Sequence, residues 1–457
     1  MHKDKRLDAD HYHPWHLKNL GRIKTKSQPL SEFIIHISGG ATPLGAVYPE
    51  EGIPFLRVQN IMPNYISESG IKHLSPSQNQ EILRSQLKKN DVLLTITGAY
   101  GKSAVVTDEF VGANINQHSV KMTVKNIVPY FLSTFLNCKY GYSQSTRHVV
   151  GITRPALDYS AIKSFLIPDL DRNFQEIIAE YCCQAEKSRE DSKQRYIEAQ
   201  TLLLAELGLA DWKPKHRLTF VKNFSDTQHA ERIDADYFQP KYDDIIDAIK
   251  SYSGGWDTVG NLTCLKDSKF NPEVETEYKY IELANIGSNG EVTGCMVEQG
   301  EDLPTRARRK VGTGDVIVSS IEGSLESIAL ITEEYDNALC STGFHVVQPN
   351  VLNSQVLLVL LKSIVGQLQL KKGCSGTILT AINKDEFSKI AIPKIRDEKQ
   401  TEIQEKVLES FHLRKRAKGL LEHAKRAVEI AIEQDEQAAI EWLVSVDIPH
   451  AHLQSQC

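Results

Sequence analysis

The stretch Arg6-Leu-Asp-Ala-Asp-His-Tyr-His-Pro14 recurs as Arg232-Ile-Asp-Ala-Asp-Tyr-Phe-Gln-Pro240, with five identities in nine positions. The offset of 226 residues is close to half of the 457-residue chain. Self-similarity at a fixed offset is typical of duplicated structural units. The two copies therefore predict that each half of the chain folds into a version of the same unit.

Further segments keep nearly the same offset, which chance matches between short strings would not do. Three pairs carry it: Phe55-Leu-Arg-Val-Gln-Asn-Ile61 with Tyr280-Ile-Glu-Leu-Ala-Asn-Ile286, Asp91-Val-Leu-Leu94 with Asp315-Val-Ile-Val318, and residues 151–168 with residues 376–393. The last pair aligns without a gap. The duplication therefore extends through most of each half.

Both copies show the same order of secondary structure. Short runs of β-branched and apolar residues, bounded by Gly, Asn and Asp, predict strands at 92–97, 104–107, 119–124, 316–319 and 328–332. A helix of moderate length follows in each copy, at 130–138 and at 355–368. The predicted fold class is α+β, with two tandem mixed α/β domains that form an internal repeat.

Each copy ends in a proline, a short charged turn and a long stretch with helical periodicity. Apolar and small residues recur at steps of three and four, which is typical of a coiled-coil seam: Phe174, Ile178, Tyr181, Ala185, Ser188, Ser192, Ala199 and Leu203, then Ile403, Val407, Ser410, Ala417, Leu421, Ala424 and Val428. Two paired helices of roughly 45 to 60 Å are expected. The alternative is two surface helices, each packed on its own domain.

These patterns predict five segments along the chain. They are a first domain at 1–170, a long helix at 171–210, a second domain at 211–395, a second long helix at 396–445 and a C-terminal tail at 446–457.

Composition favours an ordinary globular protein, with 41% hydrophobic and 25% charged residues. The first fifteen residues are charged and polar, and no apolar run approaches the length of a membrane span, so a cytoplasmic protein is expected. The eight cysteines show no C-x-x-C spacing, which argues against structural zinc and against a disulfide framework.

Charge is distributed unevenly between the halves. The chain has a net charge of −6, which is unusual for a nucleic-acid binder. Residues 1–170 carry 19 Lys and Arg against 13 Asp and Glu, whereas residues 211–395 carry 20 against 26. The first half is thus suited to DNA contact. The second half would need a local patch such as Arg306, Arg308, Arg309 and Lys310, or charge supplied by a partner.

Taken in order, the repeated motifs resemble the specificity subunits of type I restriction-modification enzymes. The resemblance rests on these motifs: the duplicated R-[LI]-D-A-D-x-[YF]-x-P block, Gly40-Ala-Thr-Pro43, the F-L-R-V-Q-N-I element, residues 91–103, Asn116-Gln-His118 and the segment that leads into each long helix. The resemblance covers essentially the whole chain, and it lies in the order of weak motifs repeated twice.

That resemblance implies a non-catalytic subunit with two target-recognition domains and two antiparallel spacer helices. It further implies double-stranded DNA with a bipartite, asymmetric site as the ligand, and two modification subunits and restriction subunits as partners in anti-phage defence. Those partner subunits would methylate adenine and cleave DNA, and they would bind S-adenosylmethionine, ATP and Mg²⁺, with no cofactor in this chain. The acidic second domain departs from the expectation for a DNA reader.

Candidate base-reading residues lie at predicted strand ends and turns. Arg suits guanine, Asn and Gln suit adenine, and hydroxyl side chains suit either. In the first copy they are Arg57, Gln59, Asn60, Thr97, Tyr100, Lys102, Asn114, Asn116, Gln117 and His118. In the second copy they are Asn285, Ser320, Glu322, Ser324, Thr342, His345, Lys371 and Lys372. The alternative for each is a turn-capping or solvated side chain.

Two features of the sequence could suggest catalysis. Gly98-Ala-Tyr-Gly-Lys-Ser103 ends like a phosphate-binding loop, but Ile96 replaces the required first glycine and a strand pattern follows. The paired carboxylates Asp8 and Asp10, or Asp234 and Asp236, have no His or Glu partners at metal-binding spacing, so a structural or docking role is expected. No catalytic residue and no metal ligand is predicted. The competing interpretations are a standalone DNA-binding or regulatory protein, and a nuclease or methyltransferase with an unrecognised motif.

Overall fold

A computed structural model describes residues 8–24, 26–151, 155–376 and 380–451. The chain forms two compact units, one of Met1–Arg189 with Lys415–Cys457 and the other of Glu190–Arg414. Arg6, residues 152–154 and 377–379 of the repeated segments, and residues 452–457 of the predicted tail lie outside the described residues. The five-segment division of the chain stays a prediction, because these units each contain part of both long helices.

The first unit contains eleven strands in the described residues, most of them only two to four residues long. They are β1 Ser27–Pro29, β2 Ile34–Gly39, β3 Ile53–Leu56, β4 Ile61–Met62, β5 Tyr65–Ile66, β6 Lys72–Leu74, β7 Val92–Thr95, β8 Ser103–Val105, β9 Asn114–Ile115, β10 Ser119–Val124 and β11 Leu166–Pro168. The helices are α1 Pro14–Ile23, α2 Pro76–Glu81, α3 Pro129–Asn137, α4 Lys139–His148, α5 Tyr159–Lys163 and α6 Arg172–Glu206, of which α6 continues past Arg189.

Its main sheet has the strand order β2-β10-β7-β8, with antiparallel neighbours throughout. A second sheet has the order β6-β3-β9, in which β3 and β9 run parallel. Successive side chains point to opposite faces of a strand, so β7 contributes side chains to two hydrophobic cores. Val92 and Leu94 pack toward α3, whereas Leu93 packs against the second sheet beside Ile115.

The second unit contains twelve strands in the described residues. They are β12 Trp256–Thr258, β13 Thr263–Leu265, β14 Glu277–Ile281, β15 Met296–Gln299, β16 Ala307–Lys310, β17 Val316–Ser319, β18 Ile328–Leu330, β19 Leu339–Ser341, β20 Phe344–Pro349, β21 Cys374–Ser375, β22 Ala381–Ile382 and β23 Ala391–Pro393. The helices are α7 Phe224–Ala230, α8 Pro240–Lys250, α9 Val259–Leu262, α10 Ser354–Lys362, α11 Ile364–Gly373, α12 Lys384–Ser388 and α13 Asp397–Glu433, of which α13 continues past Arg414. A last helix, α14 Glu436–Ala451, belongs to the first unit.

The second unit repeats the topology of the first. Its main sheet has the order β13-β20-β17-β18, and its second sheet pairs β14 antiparallel to β15 and parallel to β19. Short antiparallel pairs also correspond, β1 with β11 and β12 with β23. The single predicted helix of each copy is two helices in the structure, α3 with α4 and α10 with α11. The predicted fold class and internal repeat are confirmed.

Within the second unit, the end of α6 and the start of α13 pair in antiparallel fashion. Ion pairs join Arg195 to Glu409 at 3.1 Å, Lys406 to Glu198 at 2.9 Å and Arg396 to Glu206 at 2.9 Å. Along these ion pairs the residue numbers rise on α6 while they fall on α13, so the two helices run antiparallel. Apolar Leu203, Ile403 and Val407 are buried in the core of this unit.

Within the first unit, the start of α6 shares a core with the end of α13. Phe174, Ile178 and Ala185 from α6 are buried together with Leu421 and Ala424 from α13. Of the fifteen residues predicted to form the two seams, all are buried except Tyr181, which is half-buried. The periodicity therefore identified the packed faces, and within each unit these faces contact both the other long helix and the rest of that unit.

In the described part of the chain, no helix combines the length and apolar character that crossing a membrane requires.

Candidate nucleic-acid interface

Three loops of the first unit meet at one end of its main sheet. They are the segment after β2 (residues 40–42), the β7–β8 turn (96–102) and the β9–β10 turn (116–118). Backbone hydrogen bonds connect them: Ala41 N donates to Ile115 O at 3.0 Å, and Ile96 N donates to His118 O at 2.9 Å. We call residues 40–42, 96–102 and 116–118 the first loop cluster.

Close approach at Gly40 explains why the first loop needs a glycine. A Cβ built there would lie 2.1 Å from the carbonyl oxygen of Asn116, so any other residue would push the two loops apart. A side-chain bond at the same place joins Thr42 Oγ1 to Gln117 Oε1 at 2.5 Å. The glycine thus holds the β9–β10 turn against the chain that leaves β2.

The β7–β8 turn is held by Thr95. Its hydroxyl donates to Ala99 O at 2.8 Å and accepts from Lys102 N at 2.9 Å, while Gly101 N donates to Thr95 O at 2.9 Å. Two glycines in the left-handed region, Gly98 and Gly101, permit the tight reversal. These hydrogen bonds fix the conformation of the β7–β8 turn.

Five of the predicted base-reading residues belong to this cluster and are half-buried, so part of each side chain is accessible. They are Thr97, Tyr100, Lys102, Asn116 and His118. Gln117 and Gln59 are exposed. Tyr100 and Lys102 also line a shallow pocket of about 380 Å³ together with Tyr142. Partial burial raises the pKa of the Tyr100 phenol, so its hydroxyl is a neutral donor and acceptor at physiological pH.

Asn60 and Asn114 are corrections to the predicted set, because both are fully buried and bonded internally. Asn60 Nδ2 donates to Ser67 O at 3.0 Å and to Ser69 O at 2.9 Å. Asn114 Oδ1 accepts from Ser85 Oγ at 2.7 Å, and its amide contacts Asn79. These amides brace turns and are not open to a DNA base. Arg57 is half-buried, and its guanidinium donates to Gly70 O at 2.9 Å.

The second unit repeats the convergence with different side chains. The β17–β18 turn (residues 320–327) meets the β19–β20 turn (342–343) and the start of β22. Ser320 N donates to Gly343 O at 2.8 Å, Glu322 N to Thr380 O at 3.0 Å, and Ile382 N to Ser320 O at 2.8 Å. We call residues 320–327, 342–343 and 380–382 the second loop cluster.

The candidates of the second copy differ in how open they are. Thr342 and Lys371 are exposed, whereas Ser320, Glu322, Ser324, Asn285 and Lys372 are half-buried. Several already have partners: Ser320 Oγ donates to Gly343 O, Asn285 Oδ1 accepts from Glu282 N, and Lys372 Nζ lies 3.0 Å from Asp243. Lys371 is 3.9 Å from Glu322, which partly cancels the charge of both.

His345 is a further correction. Its ring is buried, stacks on Phe387 with centroids 4.6 Å apart, and its Nε2 lies 3.1 Å from Ile382 O. Burial lowers the pKa of this imidazole. The neutral ring is part of the core beneath the second loop cluster and does not reach its surface.

The basic patch suggested for the second half (Arg306, Arg308, Arg309 and Lys310) is partly neutralised by an ion pair. Arg309 pairs with Asp267 at 2.6 Å, while Arg306 and Lys310 are exposed. Thr342 N donates to Arg306 O at 2.9 Å, which places the backbone of Arg306 beside the second loop cluster. The second loop cluster itself contains no Lys or Arg, and one of the four patch residues, Arg309, is neutralised by Asp267.

Sequence reasoning missed two features beside the first loop cluster. Tyr142 lies on α4 and is 45% exposed at the pocket, and Leu44 is fully exposed in the loop after Gly40. No local signal distinguishes Tyr142 from a core aromatic, because its helix also buries Tyr140. Leu44 could have been found, since it follows the Gly-Ala-Thr-Pro turn that the sequence singled out.

The repeated R-x-D-A-D block is a structural element in the second unit. Arg232 pairs with Asp234 at 2.7 Å, lies over the Tyr237 ring at 4.3 Å and donates to Cys374 O at 3.0 Å. The described residues include no group of three or more His, Cys, Asp or Glu side chains that could hold a metal ion.

Comparison with known proteins supports the resemblance seen in the sequence. A stretch of 130 residues is 26% identical to the type I restriction enzyme EcoBI specificity subunit of Escherichia coli, and it spans 27% of this chain and 27% of that relative. No protein-family model matches the chain. This match confirms the resemblance to type I specificity subunits that the sequence motifs indicated.

The chain is also similar to solved structures of type I restriction-modification subunits. The type I restriction-modification S subunit from M. genitalium is 13% identical, with 89% of this chain and 94% of that chain covered and a TM-score of 0.39. The HsdS subunit from Thermoanaerobacter tengcongensis is 16% identical, with 92% and 96% covered and a TM-score of 0.28.

Proposed function

We propose that this chain is the DNA-recognising, non-catalytic specificity subunit of a cytoplasmic type I restriction-modification complex. The observation that carries the proposal is a duplicated arrangement of turns. Both units have the same strand order in the main sheet, and at its end the β7–β8 turn meets the β9–β10 turn as the β17–β18 turn meets the β19–β20 turn. Two similar surfaces with different side chains suit a bipartite, asymmetric DNA site.

The chemistry of the first loop cluster supports base reading. Gln117 and Asn116 offer amides for adenine, Lys102 offers a cation for guanine or phosphate, and Thr97 offers a hydroxyl. In the second unit Thr342 of the second loop cluster, with Arg306 and Lys371 beside that cluster, would take the corresponding roles. Methyl transfer and cleavage would belong to modification and restriction subunits, which would bring S-adenosylmethionine, ATP and Mg²⁺ with them.

Methylation mapping tests this proposal directly. The chain is co-expressed with its modification subunit in a host that lacks adenine methylation, and methylated adenines are mapped across the genome. We expect one bipartite sequence with unequal halves. Gln117→Ala should relax one or two base positions in one half only, because a bidentate contact is worth about 1–3 kcal/mol of discrimination.

A matched control is Lys89→Ala. Lys89 lies in the same unit but pairs with Asp108 on the surface, away from the proposed contacts. It should leave the methylated sequence unchanged. Specific DNA binding without any methylation would instead favour a standalone regulatory protein, and methylation by the isolated chain would favour an enzyme.

A further inference from the structure

An unusual group of exposed apolar side chains lies between α6 and α8 in the second unit. Leu218, Val221, Phe224 and Ile233 are 93%, 93%, 75% and 90% exposed. Single exposed apolar residues are ordinary on a protein surface, but several within one short segment mark an interaction site.

Two of these side chains, Leu218 and Ile233, line a concavity. Leu218, Phe220, Ile233 and Phe238 line a shallow pocket of about 410 Å³. We call this pocket, together with the exposed side chains of Val221 and Phe224 in the same segment, the apolar groove. The volume would accommodate one large apolar side chain of a partner.

The backbone around the groove is held in place by specific bonds. The side chain of Gln239 accepts from Arg217 N at 3.1 Å and donates to Arg217 O at 3.0 Å, and Lys222 Nζ donates to Asp243 at 2.5 Å. On the opposite side, Arg232 N donates to Thr227 O at 3.2 Å. The groove is therefore preformed, which reduces the entropy lost when a partner binds.

Uncompensated positive charge flanks the groove. Residues 212–222 contain no Asp or Glu, and Lys213, Lys215 and Arg217 are exposed and form no ion pair within the described residues. Lys222 and Arg232, in contrast, are neutralised by Asp243 and Asp234. This pattern stands out in a half of the chain that is acidic overall.

We propose that the apolar groove docks a helix of the modification subunit, in which one large apolar residue enters the pocket and neighbouring carboxylates pair with Lys213, Lys215 and Arg217. Helix-in-groove recognition uses this combination of an apolar anchor and flanking charge. DNA is the less suitable ligand, because apolar side chains at 90% exposure gain nothing from phosphates. The inference rests on the proposed function, which supplies the modification subunit as the partner.

The test measures the affinity of the full-length chain for the purified modification subunit. Leu218→Ser combined with Ile233→Ser should weaken binding at least tenfold, because a buried apolar anchor dominates such interfaces. Lys213→Glu, Lys215→Glu and Arg217→Glu together should weaken binding and abolish its decrease with added salt. Both variants should remain folded, since every altered side chain is exposed. Val351→Ser is the control, as Val351 is 63% exposed in the same unit but outside the groove.

Each outcome separates the two proposals. If the wild-type chain binds the modification subunit and both groove variants bind equally well, the groove inference is wrong while the proposed function stands. If the charge-reversal variant loses DNA affinity but keeps the subunit, the segment contacts DNA and the inference is also wrong. If the wild-type chain binds no modification subunit, the proposed function fails and this inference with it.

Discussion

A buried aspartate pairs with a lysine beside the main sheet in both units, although the sequence shows only the aspartates as equivalent. In the first unit Lys121, on β10, is 3.4 Å from Asp91. In the second unit Lys266, just after β13, is 2.8 Å from Asp315. The aspartates precede the matched strands β7 and β17, but the lysines come from different strands. Side-chain reach across neighbouring strands determines such a pair, so the sequence repeat alone could not predict it.

Removing the aspartate should affect the two units unequally. The Asp91 and Lys121 side chains are 1% and 6% exposed, whereas Lys266 is 33% exposed and can reach water. Asp91→Ala should therefore cost about 3–5 kcal/mol, because it leaves a buried ammonium group without its countercharge. Asp315→Ala should cost less. Urea unfolding measures both, and Asp108→Ala, which removes a surface pair, is the control. Equal destabilisation by Asp91→Ala and Asp108→Ala would contradict this account.

His345 shows how a polar residue at a strand position can mislead a prediction from sequence. In the first unit the corresponding position is Val120, which is fully buried, and His345 is buried in the same place. Spacing within the repeat could have revealed this, since residues 119–124 and 344–349 both form the second strand of the main sheet. The chemistry of histidine suggested a base contact, but the side-chain alternation of the strand directs it inward.

Stability should depend on the protonation of His345. Burial lowers the pKa of the folded-state imidazole below its usual value of 6.5. Protons therefore bind the unfolded state more tightly, and the stability of the protein falls as the pH drops below about 6.5. In His345→Gln this contribution is absent, so the free energy of unfolding should decrease less between pH 7.5 and pH 5.5. Phe387→Leu removes the stacked ring but keeps the imidazole, and it should lower stability without flattening the pH dependence.

At the level of elements, the helical periodicity located the packed faces of α6 and α13 but not their polar contacts. Ser192 and Ser410 were placed in the two seams as small residues. In the structure Ser410 Oγ donates to Ser192 O at 2.7 Å, and Asn289 Nδ2 approaches both hydroxyls at 3.4 and 3.5 Å. Asn289 lies between β14 and β15, far along the chain from either helix, so no local sequence pattern predicts its contact with the two serines. Polar groups inside a helix pair can fix register, as in coiled coils.

Ser410→Ala should therefore destabilise the second unit by about 1–3 kcal/mol, because the buried Ser192 carbonyl and the Asn289 amide lose a partner. The matched control is Ser188→Ala. Ser188 is also buried on α6, but its hydroxyl donates only to Gln184 O of the same helix. Chemical denaturation followed by helix circular dichroism gives both values. Similar small effects of the two substitutions would show that the seam bond contributes little.

At the level of the whole molecule, the duplicated topology was the most predictable feature, because repeated motifs in a fixed order constrain strand order and core pattern together. The asymmetry was less predictable. Uneven net charge between the halves was visible in the sequence, but which cations are free depended on tertiary partners, as Arg309 with Asp267 and Lys372 with Asp243 show. The two loop clusters consequently share a backbone plan while presenting different chemistry, which is what reading two unlike half-sites would require.

Lengthening both long helices tests the whole-molecule proposal. Seven residues of heptad-compatible sequence are inserted after Arg189 in α6 and after Arg414 in α13, at the boundary between the units. The insertion adds about 10 Å of helix at 1.5 Å per residue. If the helices set the distance between the two half-sites, methylation mapping should show both half-site sequences unchanged and the unspecified spacer longer by about three base pairs at 3.4 Å each. Insertion into α6 alone should shift the seam and prevent assembly. An unchanged spacer in the double-insertion protein would mean that the helices do not determine the spacing, whereas altered half-site sequences would mean that base reading is not confined to the loop clusters.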